Sequence, residues 1–493
     1  MKNMLKLTSI DLKKVKTETL IIPVCEDKTI HDSPTISLLI KKAKQLKEFT
    51  GKKDDKVIFY DIKEVKAKRV MFLGLGKLEK IDAEALRTFA GRAVKKCMKI
   101  NLTEVLLAGP CGKNIKIAIA SVLEALMEGA FLGNHIFDKY KKEKKLKPLK
   151  RINLLVKADM IKKYNKLLTR ISTVCAGTIL AREWVSTPSN YKRPEQFTRS
   201  IVAFAKKENL TVRVLNEKAL KQKGFNAMLA VAAGSQSKAR MVILEYNPKR
   251  AGKKRIALVG KGVTFDSGGI NLKPTGSLEG MKADMSGAAA VAATLITAAR
   301  QKLDVRVVGV IPIVENMPSG SACRPGDIVK SYDGKTVEIG NTDAEGRLIL
   351  IDALSFCIKK YKPHTIIDIA TLTGSCVIAL GEKIAGVLSF DDELAKAIEL
   401  SGEKTHERCW RLPMPDDYKE LLKSDLADIK NISSSRWGGA ITGALFLSEF
   451  TENARWAHID IAGPAYIKKG DGYCGAGGTG FGVRLFCDLL DKI

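Results

Sequence analysis

Apolar and polar positions alternate in two distinct rhythms along this chain. In residues 1–150 short apolar runs are separated by stretches of helical periodicity. LIIPVC (20–25), KVIFYDI (56–62) and RVMFLGLG (69–76) read as strands; AEALRTFAGRAVKKCMK (83–99) and IAIASVLEALMEGAFLGN (117–134) read as helices. Strands that alternate with helices predict an α/β domain. Further on the runs become more uniformly apolar: RIALVG (255–260), VRVVGVIPIV (305–314), HTIIDIATL (364–372) and WAHIDIAG (456–463). Such β-branched runs predict strands buried on both faces, as in a largely parallel sheet. Helices at 284–302 and 345–361 separate them. The pattern as a whole predicts an α/β protein of two domains, each a mixed or mainly parallel sheet flanked by helices.

The boundary follows from what lies between the two rhythms. KYKKEKKLKPLKR (139–151) is a basic, proline-containing surface loop, and INLLVKA after it is a strand. KYNKLLTRISTVCAGTILAREWVS (163–186) reads as one long helix, stopped at Thr187-Pro188. The expected division is therefore a domain over 1–162, a connecting helix over 163–186 and a second domain over 187–493. The GxG at 74–76 lacks a third glycine, and it reads as a strand-end turn rather than a nucleotide-binding fingerprint.

Composition adds limits. A chain of 493 residues, 45% of them hydrophobic, can build two or three substantial cores. No window approaches the roughly 18 apolar residues of a membrane span, and the N-terminus has no apolar segment of the secretory type. No membrane association is expected. The ten cysteines (25, 97, 111, 175, 323, 357, 376, 409, 474, 487) are scattered singly, as expected of reduced thiols in the cytoplasm. The net charge is +29 and uneven: residues 1–165 hold 37 Lys and Arg against 19 Asp and Glu. Solvated surfaces account for that excess, since no nucleic-acid-binding motif accompanies it. Nucleic acid stays open as a partner of the basic N-terminal domain.

Carboxylates gather just beyond the predicted strand ends. RIALVG is followed by KGVTFDSGGINLK, with Lys261, Asp266 and Lys273, and then by GMKADMSGAAA, with Asp284 at a helix start. NTDAEGRL (341–348) adds Asp343, Glu345 and Arg347 at another. Thr342 and Glu345 fit a capping box. Asp343 and Glu345 would point about 200° apart if both were helical, so a shared metal requires extended chain at 343 and a helix starting near 344–345. Four carboxylates on one rim would repel strongly without cations. Two divalent ions remove the difficulty; oxygen-rich sites suit Mn²⁺ or Mg²⁺, and Zn²⁺ also accepts carboxylates. The five histidines form no HExxH, and His364 and His458 read as structural. There is no GxSxG elbow. Cys376 has no nearby histidine in sequence to activate it and reads as packing.

NTDAEGRL resembles the signature of the leucyl aminopeptidases, the M17 metallopeptidases. VGKGVTFDSGGINLK, MKADMSGAAA, ENMPSGSACRPGDIV, ATLTGS, LLKSDLADIKNI, GGAITGALFL, HIDIAG and GGTGFGVRL resemble the same family, in family order, over residues 180–486. The resemblance implies that the C-terminal domain is catalytic and that the N-terminal one is its variable partner. It implies a tightly held metal on Lys261, Asp266, Asp284 and Glu345, and an exchangeable one on Asp266, Asp343 and Glu345. Either Mn²⁺ or Zn²⁺ is implied. Lys273 and Arg347 would be the catalytic pair, with bicarbonate held by Arg347 as general base. Met281, Thr371, Leu372, Gly374 and Ala462 would contact the substrate. The implied activity is removal of N-terminal, leucine-like residues from peptides in the cytoplasm, by a homohexamer built as a dimer of trimers. A two-metal phosphoesterase is the alternative that the carboxylates and the basic charge suggest. Ser186, Trp437 and the stretch 466–478 depart from the family pattern without touching a ligand position.

Overall fold

The computed structural model describes residues 4–110, 114–452 and 454–492. Residues 1–176 and 469–476 form one compact unit, and 177–468 with 477–493 form the other. The long helix starts earlier than its sequence pattern predicts, at Ala158, and ends at Ser186. The division between units therefore falls inside it. The excursion of 469–476 into the first unit has no signal in composition.

In the first unit a six-stranded sheet carries Leu20–Cys25 between Glu104–Ala108 and Arg69–Gly76, all parallel. Lys56–Tyr60 runs antiparallel at one edge. Leu20, Ile22, Val24, Val70 and Phe72 pack with Ile36 and Leu39 of helix Pro34–Lys44. Stretch 139–151 has no regular structure before strand Arg151–Leu155 begins, as predicted.

The second unit is built on a nine-stranded sheet. Its centre is four parallel strands, in the order Trp456–Asp460, Thr365–Ala370, Arg255–Gly260, Arg306–Asn316. Antiparallel strands Arg240–Tyr246 and Thr211–Asn216 extend one side. Period-two alternation explains why the central runs are apolar throughout. Val308 and Val310 join one core with Leu348 and Ile351 of helix Glu345–Tyr361. Gly309, between them, faces Val291 and Leu295 of helix Ser286–Gln301 on the opposite face. Both faces are covered, so neither can be polar.

Close packing at one glycine brings that second helix onto the sheet end. A Cβ on Gly287 would stand 2.0 Å from the Ile369 carbonyl. No helix among the described residues is long and apolar enough to cross a membrane. Nine cysteines are free thiols; Cys111 lies outside the described residues. Cys376 is buried, and its burial pushes the thiol up to about 12, which suits packing rather than nucleophilic attack.

Candidate metal centre

Every central strand ends at the same rim, the usual place for a ligand in an open α/β sheet. Lys261 follows strand Arg255–Gly260, and Asp266 ends the short strand Gly262–Asp266. Asp284 precedes helix Ser286–Gln301. Asp343 lies in a turn closed by Ala344 N on the Asn341 carbonyl at 3.2 Å, not in extended chain as expected; it is still outside helix Glu345–Tyr361, so it escapes the helical spacing that would point it away from Glu345.

The side chains converge. The Lys261 ammonium lies 2.7 Å from Asp284 Oδ1, 2.8 Å from Glu345 Oε1 and 2.9 Å from the Thr371 carbonyl. The Lys273 ammonium lies 2.9 Å from Asp266 Oδ2 and 2.5 Å from Asp343 Oδ1. Asp266, Asp343 and Glu345 each offer an oxygen, all within 4.8 Å of one another. A Cβ on Gly346 would meet the Lys261 side chain at 2.6 Å, so a larger residue there would displace the lysine's end from its place across the helix start.

Four carboxylates here face two ammonium groups, and all but Lys273 and Asp343 are buried. Burial raises the Asp284 carboxyl well above its ordinary range, with Lys261 opposing and Glu345 adding to the rise. Burial also acts against the charge on Lys261, but Asp284, Glu345 and Asp266 outweigh it and hold the ammonium above its usual range. Burial acts likewise on Lys273, with Asp266 and Asp343 reversing it. Asp284 Oδ2 is buried without a hydrogen-bond partner. A negative excess, an orphaned carboxylate oxygen and a convergent oxygen set all fit divalent cations.

Three residues that the sequence did not single out hold this arrangement. Asn316, at the end of strand Arg306–Asn316, donates to Asp266 Oδ1 at 2.8 Å and to the Thr342 carbonyl at 3.0 Å. Asp460 accepts from Leu372 N (3.1 Å), Thr373 Oγ1 (2.7 Å) and Ala462 N (3.1 Å), and so shapes the wall around them. Asn431 is fully buried; its amide group bonds Gly340 N and the Asn341 carbonyl, both at 2.8 Å. The only sequence signal for these three is a polar residue at the edge of an apolar run.

The Thr342 capping box is not formed. Its hydroxyl instead accepts from Asn271 N at 2.9 Å and donates to the Gly268 carbonyl at 2.6 Å. The helix's N-cap is Ala344, with no side-chain cap. The tertiary partner wins because Gly268 and Gly269, with φ of +90° and +67°, curl the DSGG loop onto Thr342.

A cleft of about 480 Å³ opens on the cluster and is lined by Met281, Thr371, Leu372, Gly374 and Ala462 as well as by the charged residues. Arg347 is not among its lining residues. It is buried; its Nη1 donates to the Asn431 carbonyl at 2.7 Å, and its guanidinium stands 5.9 Å from the Phe446 ring centroid. Its Nε is buried without a partner. Burial lowers its pKa to about 10, with Glu345 and Asp460 opposing. His458 is structural: its Nδ1 lies 2.6 Å from Asp368 Oδ1, away from the cluster's ligands. Ser186 accepts from Gly478 N at 3.0 Å.

Fold and site together define a two-unit α/β protein with a carboxylate–lysine centre at the carboxyl ends of parallel strands. The model of the cytosol aminopeptidase catalytic domain, peptidase M17, matches residues 179–487, and that of the family's N-terminal domain matches 27–144. The chain is 40% identical over 501 residues to a probable cytosol aminopeptidase of Chlorobium phaeobacteroides, with 99% of each covered. It is 43% identical over 440 residues to one of Chlorobaculum tepidum, with 86% of each covered. The bottromycin maturation enzyme BotP in complex with Mn superposes with a TM-score of 0.85 at 32% identity, over 96% of this chain and 99% of that one. The chain belongs to the cytosol aminopeptidase family, and it is an aminopeptidase.

Proposed function

We propose that the protein is a two-metal leucyl aminopeptidase, which releases leucine-like N-terminal residues from peptides in the cytoplasm. The observation that carries this reading is the meeting of Lys261, Asp266, Asp284, Asp343 and Glu345, drawn from three separate stretches of sequence, in one largely buried cluster. Lys261, Asp266, Asp284 and Glu345 would hold one ion, and Asp266, Asp343 and Glu345 the other. Mn²⁺ is supported by the BotP neighbour, and Zn²⁺ by the ligand chemistry. When bound, the pair would supply Lewis acidity to the scissile carbonyl and to a water nucleophile.

The chain's own residues do the rest. Lys273 is the more accessible of the two lysines and faces the cleft; its ammonium would stabilise the oxyanion that forms as the carbonyl is attacked. Arg347 is fixed by Asn431, which leaves the rest of its planar fork for a bicarbonate. The buried, unpartnered Nε supports an anion there. Arg347 would hold the bicarbonate, which when bound would supply the general base, because the carboxylates of the cluster are committed as ligands. Met281, Thr371, Leu372, Gly374 and Ala462 would receive the first side chain of the peptide. Membership of a peptidase family replaces the phosphoesterase alternative.

Hydrolysis of Leu-p-nitroanilide by the full chain tests the reading. Turnover with Mn²⁺ or Zn²⁺, its loss on chelation and its return on reloading are expected. Chelator-resistant turnover would refute the metal dependence, and faster release of other N-terminal residues would refute the leucine preference. The homohexamer that the resemblance implies is checked by light scattering, and nucleic-acid binding through the basic stretch 139–151 by a salt-dependent gel shift.

A further inference from the structure

Lys192 is only 2% exposed, yet no carboxylate pairs with it among the described residues. Its ammonium instead donates to three carbonyls, those of Trp184 (2.8 Å), Val185 (3.1 Å) and Lys282 (2.7 Å), and lies 3.2 Å from Met285 Sδ. An ammonium has three protons to donate, so each carbonyl can take one. Burial, with Lys282 adding to it, pulls the Lys192 pKa well below its usual range. A buried charge without a counter-charge costs free energy. An apolar side chain of the same length would fill the space without that cost. What the ammonium adds is direction, because it draws carbonyls of two distant segments to one point.

The first segment is the last turn of helix Ala158–Ser186, where carbonyls lack helical partners and the dipole is negative. The residue four on from Trp184 is Pro188, which has no N–H to offer. The second segment is the single turn Met281–Ala283, which has no side-chain cap of its own. Met281 lines the cleft, and Asp284 closes the turn through its N–H on the Met281 carbonyl at 3.4 Å. The Lys282 ammonium stands 5.7 Å from the ring centroid of Tyr466, which also lines the cleft. Lys192 is itself anchored: its N–H donates to the Ser189 carbonyl at 2.9 Å. Ser189 Oγ donates to the Thr264 carbonyl at 2.9 Å, in the strand that ends at Asp266. The short segment 189–192 thus grips the approaches to two candidate ligands.

We propose that Lys192 is a positioning residue, which sets Met281 and Asp284 by holding the turn between them. It thereby governs both the tightly held ion and the fit of the first side chain of the peptide. The inference rests on the two-metal reading above and gives Lys192 no contact with ion or substrate.

The test is Lys192→Met in the full chain, which keeps the length and removes the donors. Chelator competition on the Mn²⁺-loaded chain should show the tightly held ion weakened by about 10–100-fold, the range for residues that orient a ligand. The preference for Leu- over Ala-p-nitroanilide should narrow, because Met281 loses its fixed place. Leu244→Ala, a cavity in the buried strand Arg240–Tyr246, is the control for stability alone. It should lower the unfolding midpoint and leave both readouts at wild-type values. Should Lys192→Met unfold by circular dichroism, Lys192→Gln, shorter but still a donor, is measured in its place with the same expectation. Wild-type ion affinity and preference in the Lys192 variant, or equal losses in Leu244→Ala, would overturn the proposal. A wild type that takes up no ion would overturn the two-metal reading and this inference together.

Discussion

Asn316→Ala removes no ligand and no group that touches substrate, yet it disables the site in this account. The amide donates to Asp266 Oδ1 at 2.8 Å and to the Thr342 carbonyl at 3.0 Å, with all partners buried. A hydrogen bond to a charged group contributes about 1.5–3 kcal/mol, and a buried carbonyl left unpaired costs about 1–3 kcal/mol. Asp266 Oδ1 keeps one donor, Gly268 N at 2.9 Å, which puts the expected total in the lower half of the summed range, about 2.5–4 kcal/mol. The loss divides between two measurements. Urea unfolding of the metal-stripped chain reads the part that belongs to the fold. Chelator competition reads the part that belongs to the ions, where loss of a residue that orients a ligand weakens affinity by about 10–100-fold. Wild-type metal affinity together with wild-type stability would refute the claim that Asn316 sets the position of Asp266.

Lys273→Ala should keep both ions and the fold while losing turnover by about 2.7–4 kcal/mol, the range for a removed oxyanion donor; near wild-type rates on Leu-p-nitroanilide would remove it from the mechanism. Ion uptake should release protons. Lys261 is held charged by Asp284 and Glu345 in the metal-free geometry and must be neutral to act as a ligand, so affinity falls as pH falls. Calorimetry in buffers of different ionisation enthalpy should give at least one proton released per chain, and none would exclude Lys261 as a ligand.

The central strands were legible because they are buried on both faces and so read as unbroken apolar runs. Thr211–Asn216, half-exposed at the sheet edge, gives no such run. The charged cluster was legible through its residue types and family spacing. The residues that hold it were not, because their partners are distant in sequence: Asn316 bonds Asp266, Asp460 bonds Leu372, and Asn431 bonds Asn341. Thr342 shows the opposite error. A local rule was satisfied on paper, but a curled glycine loop offered a better tertiary partner. The excursion of 469–476 into the first unit is likewise decided by contacts that no local pattern encodes. It is anchored by Lys95, which donates to the Cys474 carbonyl at 2.6 Å, and by a Cβ-free Gly91 beneath Tyr473.

The central claim is that one carboxylate–lysine cluster holds two ions and that both are needed for peptide-bond hydrolysis. Elemental analysis of the wild type and Asp284→Ala, with Leu-p-nitroanilide turnover measured on the same samples, tests it most directly. The account predicts two ions per chain and activity in the wild type, and loss of the tightly held ion and of turnover in the variant. Two ions per chain in Asp284→Ala, or turnover by a chain that carries none, would contradict it.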